Sequence, residues 1–84
     1  MIPMSLCSPG ETVRVERIRS GLRLRRRLLS MGLNVGDQIK VIANSPFGLI
    51  ISHNGVRLAV GPGAARRVFV TPLSTDKHGG IAGV

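Results

Sequence analysis

The first regular pattern in the chain is an alternation of apolar and polar residues. Val13 and Val15 alternate with the polar residues Arg14 and Glu16, and this period of two predicts a β-strand near 12–18. Ile18 breaks the alternation, which indicates a bulge or the end of the strand near Arg17. The regular structure therefore begins with a short, half-buried strand.

A helical period follows and predicts a helix over about 21–31. The apolar positions spaced i, i+4 and i+7, which form one core-facing stripe, are Leu24, Leu28 and Met31. Ser20 is the expected N-cap of this helix. Gly32 supplies the left-handed position that ends many helices, and Leu33 can then fold back to make the usual apolar contact.

The other sides of this helix carry charge and two further leucines. At about 100° per residue, one polar face contains Arg23, Arg26, Arg27 and Ser30. Leu22 and Leu29 lie together on another side, beside Arg25 and away from the core stripe. Two arrangements fit this pattern. Either the sheet curls around to cover both leucines, which we expect, or they form a small exposed apolar spot.

The middle of the chain has a period of two, interrupted by turns. A turn at 34–37 precedes a strand over 38–43, and Ser45-Pro46-Phe47-Gly48 has the residues of a β-turn, with Pro second and Gly fourth. The period of two places Ile39, Val41 and Ala43 on one face of this strand and Gln38, Lys40 and Ile42 on the other.

Asn54-Gly55 is a strong signal for a tight hairpin between strands 49–53 and 56–60. A two-residue turn predicts the cross-strand pairs His53 with Val56, Ile51 with Leu58, and Leu49 with Val60. This register places apolar side chains on one face and leaves Ser52 opposite Arg57 on the other, so the pattern is self-consistent.

The end of the chain predicts one more strand and a tail. Gly61-Pro62-Gly63 ends the hairpin, residues 64–66 can form a helical turn, and a last strand covers 67–71 before Pro72. Five short strands with an early helix predict a mainly β fold: a small SH3-like five-stranded barrel with one helix inserted after the first strand. The predicted organisation is a domain over 1–73 and a mobile tail over 74–84, which has too few apolar residues to pack.

Composition limits what such a domain can be. A chain of 84 residues forms one small domain, and with no Trp or Tyr its core must consist of Val, Ile and Leu. The single cysteine, Cys7, excludes an intrachain disulfide and is typical of a reducing compartment. No uncharged apolar run is long enough to span a membrane, and the first residues lack the pattern of an export signal. We therefore expect a cytoplasmic protein.

Positive charge is concentrated in one stretch. The net charge is +8, and residues 14–27 hold seven arginines and one glutamate, which contributes +6 of that total. Such a patch attracts nucleic-acid phosphates, anionic lipid headgroups or an acidic protein surface. The simpler alternative is a solvated basic face that mainly aids solubility.

The strongest resemblance begins at the end of the predicted helix. The run Arg27-Leu28-Leu29-Ser30-Met31-Gly32-Leu33-Asn34-Val35-Gly36-Asp37 resembles the R-L-x-x-[ML]-G-[LM]-x-x-G signature of the FeoA family. Further agreement, covering about 4–71 in all, comes from Leu6 with Gly10, from Ser45-Pro46-Phe47-Gly48, and from the A-x-x-V-x-V spacing of Ala65, Val68 and Val70.

The resemblance implies a fold and a function. It implies an SH3-like barrel, similar to the C-terminal domain of metal-dependent repressors of the diphtheria toxin repressor type. It also implies a small cytoplasmic accessory protein of bacterial ferrous iron uptake. Such a protein binds the FeoB membrane transporter, whose cytoplasmic portion includes a GTPase domain, and aids its assembly or activity.

The inventory of reactive side chains predicts no enzyme and no cofactor. The four acidic residues are scattered over strand, turn and tail positions, so no general acid/base pair is indicated. A metal site needs three or four converging ligands, whereas Cys7, His53 and His78 lie in three separate parts of the chain. We expect the imidazole of His53 to be partly buried. If a metal ion does bind, we expect its ligands to come from more than one chain.

Three binding functions remain. The first is an adaptor that docks on the cytoplasmic part of a FeoB-type transporter through the arginines Arg23, Arg25, Arg26 and Arg27, with the apolar anchors Leu22, Leu29 and Phe47. Contact with an anionic membrane surface and a homo-oligomer stay open. Nucleic-acid binding suits the charge, but Phe47 and Phe69 offer too few rings for base stacking. Capture of a proline-rich peptide ranks last, because the sequence lacks an aromatic-lined groove.

Overall fold

The alternating segments form one antiparallel sheet in the computed structural model, which describes residues 1–19 and 21–75. The strands are β1 Ile2–Pro3, β2 Glu11–Ile18, β3 Gln38–Ser45, β4 Gly48–His53, β5 Val56–Val60 and β6 Val68–Thr75. The helices are α1 Leu22–Ser30 and the single turn α2 Pro62–Ala65, and a 3₁₀ turn covers Met4–Leu6. The predicted mainly β class is confirmed, with α1 directly after the first long strand.

The strand order is β1-β6-β2-β3-β4-β5, and all neighbours are antiparallel. Two details of the predicted barrel are wrong. The sheet has six strands rather than five, because Ile2 and Pro3 pair with β6. It is also not closed: no pairing among the described strands joins β1 to β5, so each of them is an edge.

The two long neighbouring strands β2 and β6 are paired with two irregularities in register. The register between β2 and β6 shifts between Val15 and Arg17, at the predicted bulge, and Ile18 is thereby buried together with Val15. The prediction that Pro72 ends the last strand is wrong. Pro72 pairs opposite Val13 next to a second register shift, a position where a residue without an N–H is tolerated.

Because β6 continues to Thr75, Ser74 and Thr75 belong to the strand rather than to the predicted tail. The rest of the predicted tail, 76–84, lies outside the described residues.

The central hairpins follow their turn residues closely. Every predicted pair of the β4–β5 hairpin is present, and Asn54 and Gly55 have the positive φ angles, 51° and 80°, of a tight two-residue turn. In β3 the prediction that Ala43 shares one face with Ile39 and Val41 is wrong. The register with β4 shifts after Val41, and Ala43 is exposed although Ile39 and Val41 are buried.

The buried core is aliphatic, as the composition requires. Its members are Met4, Cys7, Val13, Val15, Ile18, Leu28, Leu33, Ile39, Val41, Leu49, Ile51, Val60, Ala65, Val68 and Val70. The N-terminal segment also contributes to the core, which was not predicted: Met4 is fully buried. The side chain of Asn44 holds this segment against β3, because its amide donates to the carbonyls of Ser5 at 3.0 Å and Cys7 at 2.7 Å.

Helix α1 ends as its sequence predicts. Gly32 has φ 86°, and its N–H donates to the carbonyl of Leu29 at 2.8 Å. The N–H of Leu33 donates to the carbonyl of Leu28 at 2.9 Å. This is the hydrogen-bond pattern of a Schellman motif, and Leu33 is fully buried beyond it. At the other end Gly21 is the residue that precedes the helix, and the expected N-cap Ser20 lies outside the described residues.

Candidate functional site

The outer side of α1 carries two exposed leucines. Leu28 is buried, and Leu24 and Met31 pack against the core, so the stripe predicted to face the sheet does so. Leu22 is 63% exposed and Leu29 is 48% exposed, so the expected covering of this pair by the sheet is wrong. The second arrangement, an exposed apolar spot, is the one observed.

The four arginines of α1 divide into two pairs. Arg25 and Arg26 each lie three or four residues from both exposed leucines, so they are neighbours of Leu22 and Leu29 on the helix surface. All four arginines are exposed, and within the described residues none takes part in an ion pair. We call the face formed by Leu22, Arg25, Arg26 and Leu29 the outer face of α1.

The other pair, Arg23 and Arg27, is one helical turn apart on the side of α1 that approaches the connection between β5 and β6. Here α1 and residues 59–64 enclose a groove of about 250 Å³, in which Leu24, Leu28 and Met31 form the helix wall and Arg27 stands among the lining residues. The groove is apolar on the helix side and basic at Arg27.

A second depression of about 180 Å³ adjoins this groove, since Leu24 and Arg27 line both. Its other lining residues are Arg23 and Arg67. We call this depression the arginine cleft. Arg67 was not among the predicted site residues, because it lies outside the basic stretch 14–27. Its only signal is the dipeptide Arg66-Arg67, and no local pattern shows that β6 begins beside α1.

Phe47 lies apart from α1. It is 89% exposed on the turn between β3 and β4, where its N–H donates to the Oγ of Ser45 at 3.1 Å. It lines neither the groove nor the arginine cleft. The structure therefore brings together the arginines and leucines of α1 as neighbours on one helix and leaves Phe47 on a different element.

The candidate reactive side chains are separated. Cys7 is 1% exposed, and burial, assisted by the charge of Glu11, raises the pKa of its thiol to about 11. The side chain of His53 is 12% exposed, as the expectation of a partly buried imidazole required, and its Nε2 lies 3.2 Å from Oδ2 of Asp37. This contact joins the tip of the β4–β5 hairpin to the turn before β3, and no local sequence pattern predicts it.

The part of the chain that the structure describes contains no group of three or more His, Cys, Asp or Glu side chains able to hold a metal ion. His78 falls outside those residues. Over the same residues, no helix is long and apolar enough to cross a bilayer.

Comparison with known proteins gives one consistent family. The profile of the FeoA domain matches residues 2–72. A curated protein of Methanocaldococcus jannaschii, named "Putative Fe(2+) transport protein A", is 40% identical over 70 residues, which are 83% of this chain and 85% of that protein.

Solved structures agree with this. A crystal structure described as an iron uptake regulatory protein (FeoA) superimposes with a TM-score of 0.80 at 44% identity, over 86% of this chain and 97% of that one. A manganese-dependent transcriptional repressor also gives a TM-score of 0.80, over 86% of this chain and 41% of that one. At 21% identity, this second likeness shows the fold alone. It agrees with the expected similarity to a domain of metal-dependent repressors.

Proposed function

Because this chain belongs to the FeoA family, we propose that it is a non-enzymatic accessory protein of ferrous iron uptake that docks on the cytoplasmic part of a FeoB-type transporter and aids its assembly or activity. The observation that carries the docking proposal is the outer face of α1, where Leu22 and Leu29 are exposed between Arg25 and Arg26. None of these four side chains belongs to the buried core of the described residues.

The chemistry of this face suits an acidic protein surface. Two leucines can supply an apolar centre that excludes water, and such centres carry most of the energy of protein interfaces. The neighbouring guanidinium groups can form two parallel hydrogen bonds to a carboxylate, which gives orientation as well as attraction. An acidic patch with an apolar centre on the transporter is therefore the complementary partner.

We propose Phe47 as a separate second contact. Its ring is 89% exposed on a tight turn, where the structure of the domain does not use it. Because it lies on another element, its contribution to binding should be separable from that of α1.

Calorimetric titration of the transporter's cytoplasmic domain with the whole chain tests the proposal. The double variant L22S/L29S should bind at least ~10-fold more weakly, because it removes the apolar centre. V56S is the matched control for an exposed aliphatic side chain, since Val56 is 57% exposed on β5, and it should bind like the wild type.

Charge is tested in the same assay by a pair of variants with equal charge loss. R25Q/R26Q should weaken binding more than R57Q/R66Q, whose exposed arginines lie on other elements. F47S reports on the second contact. If both L22S/L29S and R25Q/R26Q bind with wild-type affinity, the outer face of α1 is not the docking face.

Nucleic-acid binding is not favoured as a second function. Phe69 is half-buried, with the guanidinium of Arg19 5.7 Å from the centre of its ring, so Phe47 is the one fully exposed aromatic side chain for base stacking.

We further propose that the protein works at the inner face of the membrane when it is bound to the transporter. Co-fractionation with membranes only when the transporter is present would support this location.

A further inference from the structure

The arginine cleft brings together three guanidinium groups from two elements. Arg23 and Arg27 are four residues apart on α1 and thus lie on one side of the helix, whereas Arg67 precedes β6. All three line the same depression of about 180 Å³, and Leu24 forms its remaining wall. The outer face of α1 contributes none of these side chains, so the cleft is a second, separate feature of the surface.

The backbone that carries these arginines is held in place. The N–H of Arg67 donates to the carbonyl of Ala64 at 2.9 Å, and the carbonyl of Arg67 accepts from the N–H of Arg19 at 2.7 Å. On the other side of the cleft, α1 is fixed by its Schellman motif and by buried Leu28. The three side chains thus start from fixed positions on opposite walls of the cleft, which reduces the entropic cost of gathering them around a ligand.

The positive charge of the cleft is not balanced by the described carboxylates. Each of these is engaged elsewhere: Glu11 accepts from the N–H of Ser8, Glu16 pairs with Arg14 at 2.9 Å, and Asp37 accepts from the N–H of Asn34 and faces His53. Three arginines of like charge around one depression repel one another, and an anion between them would remove that repulsion.

We propose that Arg23, Arg27 and Arg67 form a binding site for a phosphate group. Guanidinium groups donate in a planar fork that matches two oxygens of a phosphate, and a tetrahedral phosphate can accept from three directions at once. The apolar wall at Leu24 lowers the local dielectric constant and strengthens these contacts. The phosphate belongs either to a free phosphorylated compound or to a lipid headgroup, and the chemistry of the site is the same for both.

The first experiment uses inorganic phosphate as the probe. The whole chain is titrated at constant ionic strength, and the amide and guanidinium signals are followed by nuclear magnetic resonance. We expect saturable shifts at Arg23, Arg27 and Arg67, and an affinity at least ~10-fold lower in R23Q/R27Q. R25Q/R26Q is the matched control, because it removes the same charge from the same helix outside the cleft, and it should change the affinity less than ~3-fold.

A second pair of variants tests the contribution of the other wall. R67Q should weaken phosphate binding, whereas R66Q, at the neighbouring exposed position, should leave it nearly unchanged. Circular dichroism spectra and unfolding curves of all variants check that the fold is intact. Since every substituted side chain is exposed, we expect stability close to that of the wild type.

The second experiment distinguishes the source of the phosphate. Vesicles of phosphatidylglycerol are compared with vesicles of phosphatidylcholine in a sedimentation assay. If a lipid headgroup is the ligand, phosphatidylglycerol binding should fall in R23Q/R27Q and persist in R25Q/R26Q. If a free compound is the ligand, R23Q/R27Q should bind inorganic phosphate more weakly than R25Q/R26Q does, whereas the two variants should bind phosphatidylglycerol vesicles equally. The proposal is overturned if neither probe binds saturably, or if R25Q/R26Q weakens binding of both probes as much as R23Q/R27Q does.

Discussion

Replacing Gly48, the first residue of β4, with alanine should strongly lower the free energy of unfolding. Its φ is 127°, a conformation that L-residues rarely adopt, and a Cβ there would lie 2.4 Å from the carbonyl oxygen of Val60. An ordinary contact begins at 3.4 Å, so the two groups would have to separate by about 1.0 Å. That oxygen belongs to the backbone of β5, which pairs with β4 at Leu49, and it cannot move away without disturbing the ladder.

Two costs add in the variant G48A. The strained backbone contributes about 1–3 kcal/mol, and the forced displacement of β5 contributes about 1–3 kcal/mol more. A domain of this size has a free energy of unfolding of about 4–13 kcal/mol, so we expect G48A to lose a large part of it. With a urea m-value of about 1–3 kcal/mol/M, the midpoint should fall by about 1 M or more.

Urea unfolding followed by far-ultraviolet circular dichroism measures this effect, since the chain has no Trp for fluorescence. G63A is the matched control. Gly63 lacks a positive φ, and a Cβ there would meet no atom within 4 Å. The urea midpoint of G63A should therefore stay near that of the wild type. If the free energies of unfolding of G48A and G63A agree within about 0.5 kcal/mol, neither the φ angle of Gly48 nor its close approach to Val60 limits substitution there.

Three further outcomes follow from the burial and ionisation of single residues. L28A should lose about 2–5 kcal/mol of unfolding free energy because its side chain is 2% exposed, whereas L29A, on the outer face, should stay within about 1 kcal/mol; equal losses would contradict the orientation of α1. A hydrogen bond from Thr71 is the largest cause that lowers the pKa of Glu16 below 4.5, so this group stabilises the fold above that pH and loses its effect as the pH falls through the lowered value. The difference in urea midpoint between E16Q and wild type should therefore shrink below pH 4.5, and a constant difference would refute the linkage. Burial raises the pKa of Cys7 to about 11 and leaves the residue 1% exposed, so iodoacetamide at pH 8 should alkylate the folded chain at least about 10-fold more slowly than the unfolded chain; comparable rates would contradict that burial.

Features specified by neighbouring residues were predictable from the sequence. Asn54-Gly55 determines both the turn and the register of β4 with β5, and Gly32 determines where α1 ends. Each of these depends on the backbone preferences of two or three adjacent residues, which a single sequence contains.

Features that arise from contacts between distant segments were not predictable. β1 has two residues and no pattern of its own, and it exists because β6 offers Val70 and Phe69 as partners. Ala43 is exposed because β4 shifts the register after Val41, which no alternation in β3 reveals. In the candidate site, the arginines of α1 were recognisable as a run of charge. That Arg23 and Arg27 line a cleft, however, depends on Arg67, forty residues after Arg27 in the chain.

The two sides of α1 have unequal consequences for how this protein can evolve. Leu24, Leu28 and Met31 attach the helix to the core, so changes at these positions are paid for in stability. Leu22 and Leu29 touch solvent and can be exchanged with little effect on folding. Successive substitutions at Leu22 and Leu29 could therefore change the surface that the helix binds during evolution, while the fold of the sheet is conserved.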